Sequence, residues 1–87
     1  MVPYAQNADS VELFLLGLKR PCAHLAPKLR EFGIRTGQDL DALCMMPHCW
    51  GEVEQYFRGE GMTPFEWLIV QEGFKSRALT LLTAEAQ

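Results

Sequence analysis

The chain has 87 residues, of which 48% are hydrophobic and 22% are charged, and its formal net charge at pH 7 is −3. This length suffices for one small globular domain with one core, and it excludes a second core and leaves little room for a deep pocket. No apolar run reaches the length that a membrane span needs, so no contact with a membrane is expected.

The charge is unevenly distributed along the chain. Residues 1–38 hold five basic and three acidic side chains, whereas residues 39–87 hold three basic and eight acidic ones. The first part is therefore basic and the second acidic, an asymmetry that binding to a partner can use.

The three cysteines, Cys22, Cys44 and Cys49, are an odd number. The first ten residues lack both a basic start and an apolar stretch, so we expect no secretory signal. Reduced thiols and an intracellular location, in the cytoplasm or nucleus, are the expectation.

The first helix is predicted to begin at Asp9, where "DSVE" has the spacing of a capping box before the apolar "VELFLLGL". Residues 1–8 are expected to form a flexible tail. Pro21 cannot continue a helix and disfavours helical backbone at Arg20, so the helix should end there.

The second helix is predicted from about Cys22 to Phe32, with Leu25, Leu29 and Phe32 on one face. Pro27 lies inside this range and removes a backbone donor. Either the helix begins near Ala26, or it is kinked at the proline.

A sharp corner follows the second helix. Gly33 suits a left-handed helix stop after which Ile34 folds back. Thr36 and Asp39 then form a capping pattern for a third helix, whose apolar positions are Leu40, Leu43 and Met46.

Two more helices complete the predicted fold. The fourth runs from about Pro47 to Arg58, and its apolar stripe is Trp50, Val53, Tyr56 and Phe57. The fifth and longest begins at Thr63-Pro64 and runs to about Thr83, with residues 84–87 as a tail. Gly73 inside it predicts close helix packing. The stripe predicted for this helix comprises Trp67, Val70, Phe74, Ala78 and Leu81, widened by Leu68, Leu79 and Leu82. The fold class is therefore all-α, a compact five-helix bundle over residues 9–83 with the C-terminal helix longest.

Four segments resemble the sterile alpha motif domain. "VELFLLGL" is similar to that family's opening helix, "HLAPKLREFGI" to its second and "TGQDLDALC" to its leucine-rich third. "GMTPFEWLIVQEGF" resembles the fifth helix, which a glycine precedes. The resemblance covers about residues 9–82 and is nearest to divergent forms in some fungal multidomain proteins. The family's Gly-His-Arg is absent from "FRGEGMTPF", and Trp50 stands where many members have leucine.

The resemblance implies a non-catalytic interaction module, with an intracellular scaffold or signalling role. Its expected partner is a second copy of the chain or another helical domain. In the family, an acidic surface in mid-domain often meets a basic surface near the last helix of another copy. The matching candidates here are acidic Asp39, Asp41, Glu52 and Glu54, and basic Arg58, Lys75 and Arg77.

A symmetric dimer through an apolar patch is an equally open alternative, and it would use part of the set Trp50, Trp67, Met45 and Met46. Binding of RNA or DNA is another, because some sterile alpha motif domains bind RNA. Glu66 and Glu72, however, place negative charge at the start of the fifth helix, where those domains are basic. A separate basic patch is offered by Lys19, Arg20, Lys28, Arg30 and Arg35.

Two chemical hypotheses concern the cysteines and histidines. "CAH" and "CMMPHC" offer three thiols and two imidazoles, which suit zinc, but the paired Cys spacing of known zinc modules is missing. A thiol nucleophile needs an orienting third group that the sequence does not indicate. We therefore expect no catalytic residue, no metal and no cofactor.

Overall fold

The computed structural model describes residues 10–86, with side chains described as far as residue 84. Within that range there are five α-helices and no strand. The helices are α1 (Ser10–Leu16), α2 (Ala26–Phe32), α3 (Gly37–Cys44), α4 (Trp50–Gly59) and α5 (Pro64–Ala86). The predicted all-α, five-helix architecture with the last helix longest is confirmed.

Several predicted boundaries differ from those observed. The predicted tail at residues 1–8 and the cap at Asp9 lie outside the described residues. α1 ends at Leu16, before the predicted stop at Pro21, because the chain turns back there and the Cys22 N–H donates to the Leu15 carbonyl at 3.0 Å. At the other end, residues 84–86, which we expected in a tail, continue α5.

Pro27 lies in the first turn of α2 and does not kink the helix. A 3-10 turn, Ala23–Leu25, precedes the helix, which starts at Ala26. Pro27 therefore lies in the first turn, where its missing N–H has no intrahelical partner to lose. α4 repeats this arrangement, since the 3-10 turn Pro47–Cys49 leads into it.

The corner between α2 and α3 is built as the sequence predicts. Gly33 has a φ of 121°, and the Ile34 N–H donates to the Leu29 carbonyl at 2.9 Å. At the start of α3, the Asp39 N–H donates to Thr36 Oγ1 at 3.1 Å, and the Thr36 N–H donates to Asp39 Oδ2 at 3.2 Å. A helix stop thus adjoins a capping box, and the chain reverses within a few residues.

α5 begins with a second capping box, whose acidic member the sequence reasoning missed. The Thr63 N–H donates to Glu66 Oε1 at 3.0 Å, and the Glu66 N–H donates to Thr63 Oγ1 at 3.2 Å. His24 Nε2 lies 2.8 Å from the other Glu66 oxygen, Oε2, and so links the turn before α2 to α5. The Thr63 N–H, with His24 as a further cause, holds the pKa of Glu66 below its ordinary value.

One aromatic cluster forms the centre of the core. The ring of Phe74 is fully buried, and its centroid lies 5.7 Å from that of Phe14, 5.3 Å from Trp50 and 6.2 Å from Trp67. Trp50 Nε1 also donates to the Leu43 carbonyl at 2.8 Å. The cluster ties α1 and α4 to α5.

α5 packs closely against the segment around α1. A Cβ at position 73 would overlap Leu18 Cδ2 and would lie 3.0 Å from Phe14 Cζ. The predicted close packing at Gly73 is therefore confirmed. With about 1.5 Å of rise per residue, α5 is about 34 Å long, and the longest dimension of the domain is 36 Å. The helix consequently spans the whole domain.

We predict that Gly73→Ala destabilises the protein although alanine favours helix. Overpacking against Leu18 and Phe14 outweighs the propensity gain, so the free energy of unfolding should fall by about 1 kcal/mol. The matched control is Gly51→Ala, because a Cβ there would meet nothing within 4 Å apart from the neighbouring residues and the adjacent backbone of its own helix. It should raise stability by about 0.5 kcal/mol in urea unfolding. A rise for both variants would contradict the packing argument.

We predict a pH-dependent effect of Glu66→Gln. Because the pKa of Glu66 is lowered from its ordinary 4.5, the carboxylate stabilises the fold above pH 4.5, and this contribution is lost as the pH falls through the lower pKa of the folded state. The variant should be less stable than the wild type at neutral pH and equally stable near about pH 2. Urea unfolding at both pH values measures this. A difference that does not change with pH would contradict it.

Candidate interaction surface

Most of the charged side chains predicted to bind a partner contact one another within the chain. Arg77 Nε lies 2.7 Å from Asp41 Oδ1, and Arg58 Nη2 lies 2.7 Å from Glu54 Oε2. Asp39 caps α3 and accepts the Arg35 and Thr36 N–H groups, and the former chiefly lowers its pKa. The predicted acidic and basic surfaces are thus joined by internal ion pairs.

The Arg77 side chain connects α5 to two other helices. Besides pairing with Asp41 on α3, its guanidinium lies 6.0 Å from the centroid of the Phe14 ring on α1. One side chain of α5 therefore contacts two other helices. By contrast, Arg58 pairs with Glu54 along α4 alone, and Glu52 is exposed on the same helix.

Trp67, which we predicted to contact a partner, lies in the core instead. Its side chain is 6% exposed because it occupies the same face of α5 as Val70 and Phe74. Trp50 is buried in the same cluster. Of the four residues considered for an apolar patch, Met45 and Met46 remain at the surface.

The apolar surface of α5 lies on the opposite face. Phe65, Leu68, Leu79 and Leu82 are each at least half exposed. We expected the three leucines to widen the buried stripe, and this was wrong. The exposed positions, together with two charged side chains between them, follow one another at intervals of three, four, three, four and three residues. These six residues are the outer stripe of α5: Phe65, Leu68, Glu72, Lys75, Leu79 and Leu82.

The charged pair at the centre of the outer stripe is weakly held. Lys75 Nζ lies 3.6 Å from Glu72 Oε2, and both side chains are more than half exposed. An exposed pair three residues apart on a helix contributes only a few tenths of a kcal/mol. Both groups are therefore available to a partner.

Open grooves run along both sides of the outer stripe. One groove, of about 570 Å³, lies against the end of α3 and the start of α4. Its lining includes Met45, Pro47, Ala78 and Leu82. The other, of about 520 Å³, lies between α1 and α5. Neither is an enclosed cavity that would exclude water from a reaction.

The described cysteines and histidines lie in separate local environments. Among the residues that the structure describes, no three His, Cys, Asp or Glu side chains come together as a metal site. Cys22 Sγ donates to the Arg20 carbonyl at 3.2 Å, and His24 contacts Glu66. Burial raises the pKa of the Cys44 thiol to about 11, so this thiol is protonated at neutral pH.

Several basic side chains considered for nucleic acid have partners of their own. Lys28 Nζ lies 2.7 Å from Glu60 Oε1, and Arg20 lies 5.9 Å from the centroid of the Phe65 ring. Glu66, the acidic member of the capping box, lies at the start of α5, where a phosphate would have to bind. No helix in the described range is both long and apolar enough to cross a lipid bilayer.

Comparison with protein-family models, curated proteins and solved structures gives no match to this chain. The candidate site therefore rests on the geometry of the molecule. Its best-defined feature is the outer stripe of α5.

We predict that Arg77→Ala costs more stability than Arg58→Ala. Arg77 loses both its ion pair with Asp41 and its packing on Phe14, which should lower the free energy of unfolding by about 1–2 kcal/mol. Arg58 loses one exposed pair within a helix, worth less than about 0.5 kcal/mol. Urea unfolding of the two variants measures the difference. Equal losses would show that Arg77 does not hold α1 and α3 to α5.

Proposed function

We propose that this chain is a non-catalytic protein–protein interaction module that associates with helical domains, a second copy of itself first among them. The observation that carries the proposal is the outer stripe of α5, where four large apolar side chains are exposed on one face of the longest helix. Single exposed apolar residues are common on soluble proteins, but an aligned set marks an interaction site.

The alignment of these side chains favours a helical partner. Apolar residues that alternate at three and four residues occupy one seam of a helix, and another helix buries such a seam by side-chain interdigitation. The groove beside Met45 and Leu82 extends the apolar surface. The charged side chains between the leucines keep the exposed helix hydrated in the free protein.

The resemblance to sterile alpha motif domains supports the same class of function, including the scaffold or signalling role inside the cell that it implies. The acidic-to-basic contact of that family is less favoured for this chain. Asp41 and Arg77 already pair internally, and a partner would have to break that contact. The apolar stripe carries no such cost.

We predict that Leu79→Glu abolishes self-association. A carboxylate buried against a partner's apolar side chains is strongly unfavourable, whereas the free domain tolerates it because Leu79 is 65% exposed. Sedimentation velocity from about 1 μM to about 1 mM should show concentration-dependent dimers for the wild type and monomers for the variant.

The control variant is Thr80→Glu, which adds the same charge at the next position, outside the outer stripe. It should associate like the wild type, and circular dichroism should show equal helix content for all three proteins. A wild-type chain that stays monomeric at every concentration would contradict self-association.

A further inference from the structure

The spacing of the outer stripe of α5, and its order of apolar and charged residues, is the same in both directions along the helix. Its point of symmetry lies between Gly73 and Phe74, and each member has a counterpart at the same distance on the other side. The counterparts are Phe65 with Leu82, Leu68 with Leu79, and Glu72 with Lys75. Every pair is chemically complementary, since two pairs are apolar and the third has opposite charges.

We infer that two copies of this chain pack through their α5 helices in antiparallel orientation, with a two-fold axis that passes between Glu72 and Lys75 on the outer face of the helix. The inference rests on the proposed function and specifies the partner and its register. In this arrangement each residue of the stripe meets its counterpart on the second copy, so the same pairs form twice. Phe65 and Leu68 of one copy cover Leu82 and Leu79 of the other.

The spacing of the stripe fits such a helix pair. Phe65, Glu72 and Leu79 are seven residues apart, as are Leu68, Lys75 and Leu82. These are the two seam positions of a heptad repeat, which left-handed helix pairs bury. In an antiparallel helix pair, a residue at the first seam position of one helix packs at the same level as a residue at the second seam position of the other helix. Each pair of counterparts in the outer stripe combines one residue of each seam position in this manner.

The central charges select the orientation. Antiparallel packing brings Glu72 of each copy beside Lys75 of the other, so two ion pairs lie at the symmetry axis. Parallel packing in register would bring Glu72 beside Glu72 and Lys75 beside Lys75, and like charges repel. The pairs within one copy, at 3.6 Å, are exposed and can be exchanged at small cost. The two ion pairs between the copies therefore contribute more to the specificity of the orientation than to the affinity of the dimer.

The described residues around α5 leave this face accessible. All six stripe residues are at least half exposed, so no other described helix covers them. Leu79 also lines the groove beside Met45. Leu68 of the second copy, which contacts Leu79, therefore lies at the edge of that groove. One helix per copy makes a small interface, for which we expect weak association.

A charge exchange tests the register. Glu72→Lys alone places four lysines at the axis, and Lys75→Glu alone places four glutamates there, so each variant should raise the dimer dissociation constant at least about tenfold. An equimolar mixture of the two variants, and the double variant Glu72→Lys/Lys75→Glu, should each return it to near the wild-type value. Sedimentation velocity at low salt measures all of these.

Disulfide formation tests the orientation directly. In a Cys49→Ser background, Leu68→Cys protein mixed with Leu79→Cys protein should form a crosslinked dimer under mild oxidation. Leu68→Cys alone should not, because the two copies of position 68 are about 16 Å apart along the axis, beyond the reach of a disulfide. Crosslinking of Leu68→Cys alone would show parallel packing.

The outcomes separate this inference from the proposed function. A wild type that dimerises, together with charge variants that are not rescued by mixing, would overturn the antiparallel register and leave self-association standing. A wild type that remains monomeric up to about 1 mM would overturn both. Rescue by mixing and by the double variant, with crosslinking between positions 68 and 79, is the result that we expect.

Discussion

The packing of α5 through Gly73 and Phe74 determines the rest of the structure. Gly73 lets Leu18 and Phe14 approach the helix backbone, and Phe74 fills the centre of the aromatic cluster with Trp50 and Trp67. Once these neighbouring positions face inward, the helical repeat directs Leu68 and the residues aligned with it outward. The exposed apolar face of α5, which we propose as the interaction surface, therefore follows from the packing of the core. Its side chains are at least half exposed in the folded domain.

The internal ion pairs occupy part of the charged surface that was predicted to bind a partner. Arg77 connects α5 to Asp41 on α3 and to the Phe14 ring on α1, so its charge stabilises the domain. Glu54 and Arg58 are similarly paired along α4. One surface that remains exposed is the apolar seam on α5, with the weakly held Glu72–Lys75 pair at its centre. In such a seam the apolar area supplies affinity, and the charges discriminate between orientations.

Local chemistry made much of the fold predictable from the sequence, and long-range packing limited the prediction of the site. Gly33, Thr36 and Pro64 determine helix ends through contacts with near neighbours, so the five helices could be found. Trp67 and Leu79 are both apolar residues of one helix, and the width of the buried face depends on where α1 and α3 pack. The spacing alone therefore allowed the leucines Leu68, Leu79 and Leu82 to be placed in the buried stripe, whereas they lie on the surface. The ion pair between Asp41 and Arg77 joins residues far apart in sequence, and no local pattern indicated it.

The central claim is that the outward face of α5 is the surface through which this chain binds a helical partner. The most direct measurement is the change in backbone amide chemical shifts as the concentration of the chain is raised from dilute to about 1 mM. The account predicts that the shifts concentrate on residues 65–82, with the largest on the residues flanking Leu68 and Leu79. Shifts confined to α3 and α4, around Asp39 and Glu52, would contradict it.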